Sequence, residues 1–148
     1  MPGERKDPVG AFSFEVEAGG KTLGAFKECG GIGSETAVIE YAFSKGKQTW
    51  MHKEPGNHRY TNITLKRGVT KDMDLWDWRG NVLEGKMSDA RRSCTITVYD
   101  TQHNPMAEWV LEAAWPCKLT GPTFSAKTNE IAVEELEIVH EGMKRNPI

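Results

Sequence analysis

The sequence predicts a mainly β protein with one α-helix, built as a β-sandwich or small barrel of about eight strands with the helix packed outside. Residues 12–18 alternate between apolar and polar side chains, which is typical of a half-buried strand. Leu75, Trp78 and Val82 instead recur at helical spacing. Glycine-containing turns separate many of the apolar segments, and such turns favour hairpin connections.

The first strands form a hairpin followed by a bend. Gly19-Gly20 predicts a tight turn, and residues 22–26 begin the return strand. The glycine-rich residues 29–33 interrupt the alternation, so we expect a bulge or kink where the backbone must bend. Alternation resumes over residues 34–41, which predicts another strand.

Residues 43–57 are predicted to form a long loop, because lysine, glycine and proline interrupt any periodic pattern. A long loop in a compact domain is usually functional. Trp50 is isolated among polar residues and is a candidate anchor for a protein interface. We therefore predict a contact with a neighbouring subunit, made by Lys45, Lys47, Trp50, Lys53 and Arg59. The basic residues could instead bind nucleic acid, but nearby glutamates favour an acidic protein surface.

The helix is predicted over residues 72–85. Thr70 can cap its start, acidic residues in the first turn favour the positive end of the helix dipole, and Gly85 can close it. Trp76 and Leu83 widen the apolar stripe. We expect this helix to pack against the sheet and to carry no chemistry.

The strands after the helix are predicted from a second set of alternating segments. Residues 94–98 alternate between apolar and polar side chains. In residues 107–115 the side chains at every second position are apolar and share one face, namely Ala107, Trp109, Leu111, Ala113 and Trp115. Pro116 cannot donate to a strand ladder, so it should mark a strand end or a break. Residues 123–126 predict a short return strand after a Gly-Pro turn.

The final strand shows a change of phase. Ile131 and Val133 alternate in one phase, whereas Leu136 and Ile138 alternate in the other. A shift of one residue moves side chains to the opposite face of a sheet, so we expect a bulge near residues 134–135.

Bulk composition is that of an ordinary folded protein. The chain has 148 residues, 38% hydrophobic and 27% charged, and a net charge of -2. This length fits one domain with a sizeable core, and the charge gives no general reason to bind nucleic acid or an anionic membrane. We expect synthesis in the cytoplasm, because no secretory signal or apolar span is visible and the cysteine count of 3 is odd.

No sequence motif predicts an enzyme, a cofactor or a metal site. His52 and His58 lie near Glu54, but their spacing matches no paired-ligand motif. The glycines of residues 30–33 lack the spacing of a phosphate-binding loop and have no helix after them. From another class, a small barrel could be a ligand-binding module or a flavin enzyme, yet the sequence offers no convergent set of polar groups for that role.

Several segments in the same order resemble the tail tube proteins of T-even-like contractile phages, a family that also supplies the inner tubes of contractile injection systems. The resemblance rests on the strand of residues 12–17, the segment 28–35, the segment 60–69, the helix motif 75–78, residues 114–122 and residues 129–142. It covers nearly the whole chain and implies one tube-protomer domain over residues 1–148, with residues 43–57 as the part that varies most within the family.

The resemblance implies a structural function rather than catalysis. The expected assembly is a hexameric ring that stacks into a tube, with strands of all subunits joining one continuous barrel around a channel. It implies a sheath outside, baseplate and tube-terminating proteins at the ends, cargo protein or DNA in the channel, and no direct insertion into a membrane. Two alternatives stay open within this class: the ring protein of type VI secretion, and a tube-initiating paralogue at the baseplate. The sequence also leaves open whether the particle is a phage tail or an injection system.

The channel wall is predicted to be acidic, because fixed negative charge repels phosphate and keeps a wall hydrated. Carboxylates on the polar faces of the first and last strands are the candidates, namely Glu15, Glu17, Glu134, Glu135 and Glu137. The alternative is that these side chains form the solvated outer face of an ordinary sheet.

Overall fold

A computed structural model describes residues 12–122 and 132–148 and confirms the predicted fold class, mainly β with a packed helix. The predicted return strand at residues 123–126 lies outside the described residues. The elements within them are β1 (Ser13–Ala18), β2 (Lys21–Phe26), β3 (Glu28–Gly30), β4 (Ser34–Lys45), β5 (Gln48–Tyr60), β6 (Ile63–Gly68), α1 (Asp74–Leu83), α2 (Met87–Ala90), β7 (Arg92–Tyr99), β8 (Pro105–Thr120), β9 (Val133–Val139) and β10 (Gly142–Asn146).

Eight of the strands form one antiparallel sheet in the order β2-β1-β7-β8-β9-β6-β3, with β10 also paired to β8. The long strand β8 belongs to two layers, because its first half pairs with β7 and β10 and its second half pairs with β9. The layers close on each other at β2 and β6, where the Arg67 guanidinium donates to the Leu23 carbonyl at 2.8 Å. The result is a small barrel-like sandwich with its core between the layers.

The core is apolar and continuous. Its fully buried members come from both layers and from α1, and include Val16, Leu65, Trp78, Ile96 and Leu136. At the start of β1 the predicted core face is only partly correct, because Phe14 is half-buried and Phe12 is exposed. The alternation of β1 therefore predicts the strand and its buried face correctly, but the first apolar residues, Phe12 and Phe14, lie at the rim of the core.

The helix α1 is shorter than the predicted span of residues 72–85. Gly85 closes it as predicted: the backbone N–H groups of Gly85 and Lys86 donate to the carbonyls of Val82 and Asn81, at 3.0 and 2.8 Å. Thr70 does not cap the helix, since its hydroxyl accepts from the Asp72 N–H before the helix begins.

The apolar stripe of α1 is narrower than predicted. Trp78 is fully buried, and its indole N–H donates to the Ala90 carbonyl of α2 at 2.6 Å. Trp76 is only partly covered and Leu83 is exposed. The helix therefore packs by a two-residue stripe, Leu75 and Trp78.

The strand β8 contains three register shifts, one of which lies opposite Val98–Tyr99 near its start. Pro116 lies at the register shift before Lys118, which confirms the predicted break, although the strand continues through it. The remaining shift lies opposite Arg92–Cys94, and there Ala113 has a positive φ of 48°. The predicted single apolar face over residues 107–115 is therefore wrong: after this bulge Ala114, and not Ala113, turns into the core.

The predicted loop at residues 43–57 is wrong. Strands β4 and β5 instead form a long two-stranded antiparallel hairpin with its turn at Gly46, separate from the main sheet. Almost every residue of the hairpin is exposed. The strand predicted over residues 34–41 is confirmed as the start of β4, but the rest of the hairpin carries no clear alternation, because neither of its faces is buried in the protomer.

The predicted bulge near residues 134–135 is also wrong. The ladder between β6 and β9 is regular from Val133 to Ile138. Glu134 lies on the same face as Leu136 and Ile138 and is buried with them. The apparent change of phase arises because a carboxylate occupies a core position.

Candidate assembly surfaces

The β4–β5 hairpin carries a strip of apolar side chains on one face. Ile39, Tyr41, Phe43 and Trp50, here called the aromatic strip, are each about half exposed, between 45% and 54%. Phe43 and Trp50 face each other across the strands with ring centroids 6.0 Å apart. Exposed contiguous apolar surface of this kind marks interaction sites in soluble proteins.

A short polar cluster ends the strip towards the base of the hairpin. The Tyr41 ring lies 4.9 Å from the His52 ring, and the Tyr41 hydroxyl donates to Glu54 at 3.3 Å. His52 Nε2 lies 3.0 Å from the same carboxylate oxygen. These contacts position the Tyr41 side chain of the strip while leaving it exposed.

The opposite face of the hairpin is mixed rather than aromatic. Val38 and Met51 are exposed there, and Glu40 pairs with Lys53 at 3.7 Å. The hairpin therefore has two chemically different faces, so a partner that covers one face would meet different chemistry on the other.

The residues predicted to contact another subunit all lie on this hairpin, but they do not form one patch. Lys45 and Lys47 flank the turn, and Trp50 lies in the strip nearby. Lys53 lies on the face opposite Trp50, and Arg59 is paired in register with Glu35 near the base. The basic charge is thus distributed along both faces.

A second surface is the outer face of the layer β2-β1-β7-β8-β10. Side chains on this face fall into registered rows, while Val16 and Ala18 on the other face of β1 are buried. The first row is Thr22, Glu17, Thr95, Val110 and Lys144, and the second is Ala25, Glu15, Thr97, Glu108 and Asn146. We call this face the polar wall.

The polar wall has an excess of negative charge. Its two rows hold the carboxylates Glu15, Glu17 and Glu108 against the single cation of Lys144. Partial burial, and then the nearby Glu15 carboxylate, raise the pKa of the Tyr99 hydroxyl at the end of the wall. Sequence analysis missed Glu108, because only the pairing of β7 with β8 places it in the row of Glu15.

The carboxylates of β9 lie in a different environment. Glu135 is opposite Lys66 and Glu137 is opposite Lys118, so these pairs balance their charges across the strands. Glu137 also accepts from the Asn62 side chain at 3.1 Å. Lys66 also pairs with Glu28 at 3.5 Å, so three carboxylates lie against two lysines here, a smaller excess of negative charge than on the polar wall.

For Glu134 the structure corrects the prediction of a channel-lining role. The carboxylate is buried, 5% exposed, and lies 3.3 Å from the Arg67 guanidinium. Its other oxygen accepts from the Trp76 indole N–H at 3.1 Å. Together with the Arg67 bond to Leu23, this buried polar cluster joins β2, β6, β9 and α1. The signal that the sequence analysis misread was a charged residue on the same face of β9 as Leu136 and Ile138.

The cysteines show no sign of nucleophilic activation. Burial raises the pKa of Cys29 to about 11 and that of Cys94 to about 12. In the described parts of the chain, no group of three or more potential ligands is placed to hold a metal ion. Within the same residues, no helix is long and apolar enough to cross a membrane.

The chain belongs to the family of the T4-like virus tail tube protein gp19, whose model matches residues 10–144. It is therefore a tail tube protein, and both the family and the fold are those of structural tube proteins rather than enzymes. No curated protein matches the sequence.

Solved structures show the same fold. A chain of the sheath-tube complex of the PVC extracellular contractile injection system in its extended state is 26% identical, with a TM-score of 0.79, and the match covers 97% of this chain and 95% of that one. A chain of the PVC sheath/tube terminator is also 26% identical, with a TM-score of 0.73 and coverage of 95% and 96%. Hcp1 from Flavobacterium johnsoniae shares the fold alone, at 14% identity, a TM-score of 0.55 and coverage of 90% and 94%.

Proposed function

We propose that this chain is the repeating subunit of the inner tube of a contractile tail or injection machine, forming hexameric rings that stack around a central channel. The family match over residues 10–144 supports the tube. The PVC relatives come from a sheath-tube complex and a sheath/tube terminator, which supports a sheath outside and terminating proteins at the ends. One domain over residues 1–148 and synthesis in the cytoplasm belong to the same proposal.

The observation that carries this proposal is the polar wall with two unpaired edges. In the described residues, β2 pairs only with β1 and β10 pairs only with β8. Open strand edges are a hazard that monomeric proteins usually cover or blunt. In a ring, the β2 edge of one subunit can pair with the β10 edge of the next, which continues the wall around the channel.

The polar wall supplies the chemistry that a channel requires. Glu15, Glu17 and Glu108 give the lumen negative charge, and the threonines between them keep it hydrated. Such a wall repels phosphate and gives passing cargo no apolar surface to bind. Glu135 and Glu137 are weaker candidates for the lumen, because lysines lie opposite both of them. The proposal fits DNA or protein as the cargo.

The hairpin supplies the contact between subunits of neighbouring rings. It projects from the main sheet and exposes apolar side chains, including Trp50. Contiguous exposed apolar surface of this kind is uncommon in a soluble monomer and marks an interaction site. Lys45 and Lys47 at its turn add charge that can guide docking.

Native mass spectrometry of the purified protein, together with negative-stain microscopy, tests the proposal. We expect a mass of six copies, rings with a central hole, and tubes at high concentration. A monomer that persists into the high micromolar range over a wide range of salt would contradict it.

A further inference from the structure

The edge strand β2 of the polar wall contains a β-bulge. In the β1–β2 ladder, two consecutive residues of β1 lie opposite Thr22 and Gly24, so Leu23 is an extra residue without a partner on β1. Gly24 follows it with a positive φ of 99°, a conformation that favours glycine. Bulges and glycine kinks bend a strand and increase its local twist. The bend therefore lies on the strand that pairs with the next subunit in the proposed ring.

A buried arginine of the other layer holds this bulge. The Arg67 guanidinium of β6 donates to the Leu23 carbonyl at 2.8 Å, and a Cβ on Gly24 would lie 3.8 Å from Arg67 Nη1. The guanidinium also lies over the Phe26 ring, 5.6 Å from its centroid. Glu134 of β9 accepts from Arg67 Nε at 3.3 Å. The carbonyl of the bulge residue is thus bonded to a side chain that is itself fixed from β9.

The backbone joins the two layers beside this cluster without the help of the ion pair. One residue beyond β2, the Lys27 backbone N–H donates to the Lys66 carbonyl of β6 at 2.8 Å. Replacing a buried ion pair by apolar residues of similar volume is often neutral for stability, so such a pair is better explained by the geometry that it specifies. The geometry that Arg67 specifies is the bend of β2.

We infer that Arg67 is a positioning residue for ring closure, because it fixes the bulge at Leu23 in the curvature with which β2 pairs with β10 of the next subunit. This inference rests on the proposed function and gives a buried residue of the protomer a role in it. A sheet closes into a barrel only when the bend and stagger of its strands agree. In a symmetric ring every contact between subunits is the same, so a wrong bend in β2 recurs at each of them.

The first variant removes the restraint from the core. Arg67→Met with Glu134→Leu takes both charges out together, so no buried charge is left unpaired. Its control is Trp76→Phe, which removes a hydrogen bond to Glu134 but leaves the bond between Arg67 and Leu23 in place. Urea unfolding first shows that both proteins are folded.

The second variant strains the bulge and leaves the ion pair intact. Gly24→Ala places a Cβ at a φ of 99°, which disfavours the present bend. Its control is Gly20→Ala, which places a Cβ at a φ of 83° in the turn between β1 and β2, where a Cβ would meet nothing within 4 Å. The two variants therefore carry the same type of strain in the same hairpin, inside and outside the bulge.

Native mass spectrometry over a dilution series measures the concentration at which half of the protein forms six-copy rings. We expect this concentration to rise by about tenfold or more in the double variant and in Gly24→Ala, and to change little in the two controls. In dilute monomer, amide hydrogen exchange should become faster in β2 and stay unchanged in β7, because only the edge strand loses its restraint.

Rings that form at the unchanged concentration in either variant, or an equal loss in its control, would overturn the inference. Should the double variant not fold, the comparison of Gly24→Ala with Gly20→Ala decides the question. Unchanged protein that forms no six-copy rings would instead contradict the proposed function itself.

Discussion

At the scale of single residues, the buried pair of Arg67 and Glu134 is the most consequential interaction in the protomer. Both side chains are almost completely buried, 3% and 5% exposed, and Arg67 Nη2 has no partner among the described residues. Removing one member of a buried ion pair leaves an uncompensated charge, which usually costs more than the pair itself contributes. The pair should therefore respond very differently to single and double substitution.

We predict that Glu134→Leu destabilises the protein by about 3–5 kcal/mol, because it leaves the buried Arg67 charge without its counter-ion and Arg67 Nε and the Trp76 indole N–H without an acceptor. The double variant Arg67→Met with Glu134→Leu should recover most of this loss. Urea unfolding of both variants measures the difference. A single variant as stable as the unchanged protein would show that the ion pair does not form.

Ala113 offers a second test at this scale, since its φ of 48° lies in the left-handed region that disfavours a Cβ. Ala113→Gly should raise the free energy of unfolding by up to about 1 kcal/mol, because glycine adopts this conformation without strain. Ala114→Gly, one residue along and buried in the core, is the control and should destabilise. An equal loss in both variants would show that the bulge lies elsewhere in β8.

At the scale of elements, the two tryptophans of α1 differ in what they stabilise. Trp78→Ala should cost about 3–5 kcal/mol, because it empties a fully buried site and removes the bond to Ala90. Trp76→Phe should cost clearly less, since the ring is partly exposed and only its bond to Glu134 is lost. Thermal and urea unfolding measure the loss of stability in each variant. Equal losses would contradict the burial of Trp78 and the partial exposure of Trp76 in α1.

Sequence patterns predicted the elements that bury a face and failed for those that do not. The hairpin of β1 and β2, the helix α1 and its stop at Gly85 follow from periodicity and turn chemistry. Alternation over residues 34–41 identified the start of β4, but the β4–β5 hairpin buries neither face in the protomer, and residues 43–57 resemble a loop in the sequence.

The positions of the candidate channel residues in the fold were also predicted only in part. Glu15 and Glu17 follow from the alternation of β1, but Glu108 could be found only from strand pairing. Glu134 was misassigned because a carboxylate on the same face as Leu136 and Ile138 was treated as solvated, whereas its ion pair with Arg67 makes its burial possible. Pairing between distant strands is information that local periodicity does not contain.

At the scale of the whole molecule, the proposed function assigns different tasks to different parts of the protomer. In the proposed tube, the polar wall and its open edges form the ring and channel and the aromatic strip contacts the neighbouring ring, while the core between the layers provides stability. Substitutions of exposed residues on the wall and the strip should therefore leave folding intact.

The charge of the wall should control what the tube retains. We predict that Glu15→Lys with Glu17→Lys gives rings and tubes that bind short single-stranded DNA, because the wall then attracts phosphate. Binding should weaken steeply as salt is raised, and fluorescence anisotropy measures it. The control Glu135→Lys with Glu137→Lys makes the same change of charge on the other layer, outside the polar wall. Equal binding in both variants would contradict the assignment of the wall.

The most direct test of the account is a cryo-electron microscopy structure of the assembled tube. We predict that β2 and β10 of adjacent subunits pair edge to edge, and that Glu15, Glu17 and Glu108 of every subunit face the channel. A channel lined by an apolar or net basic surface, or a polar wall on the outside of the tube, would contradict it.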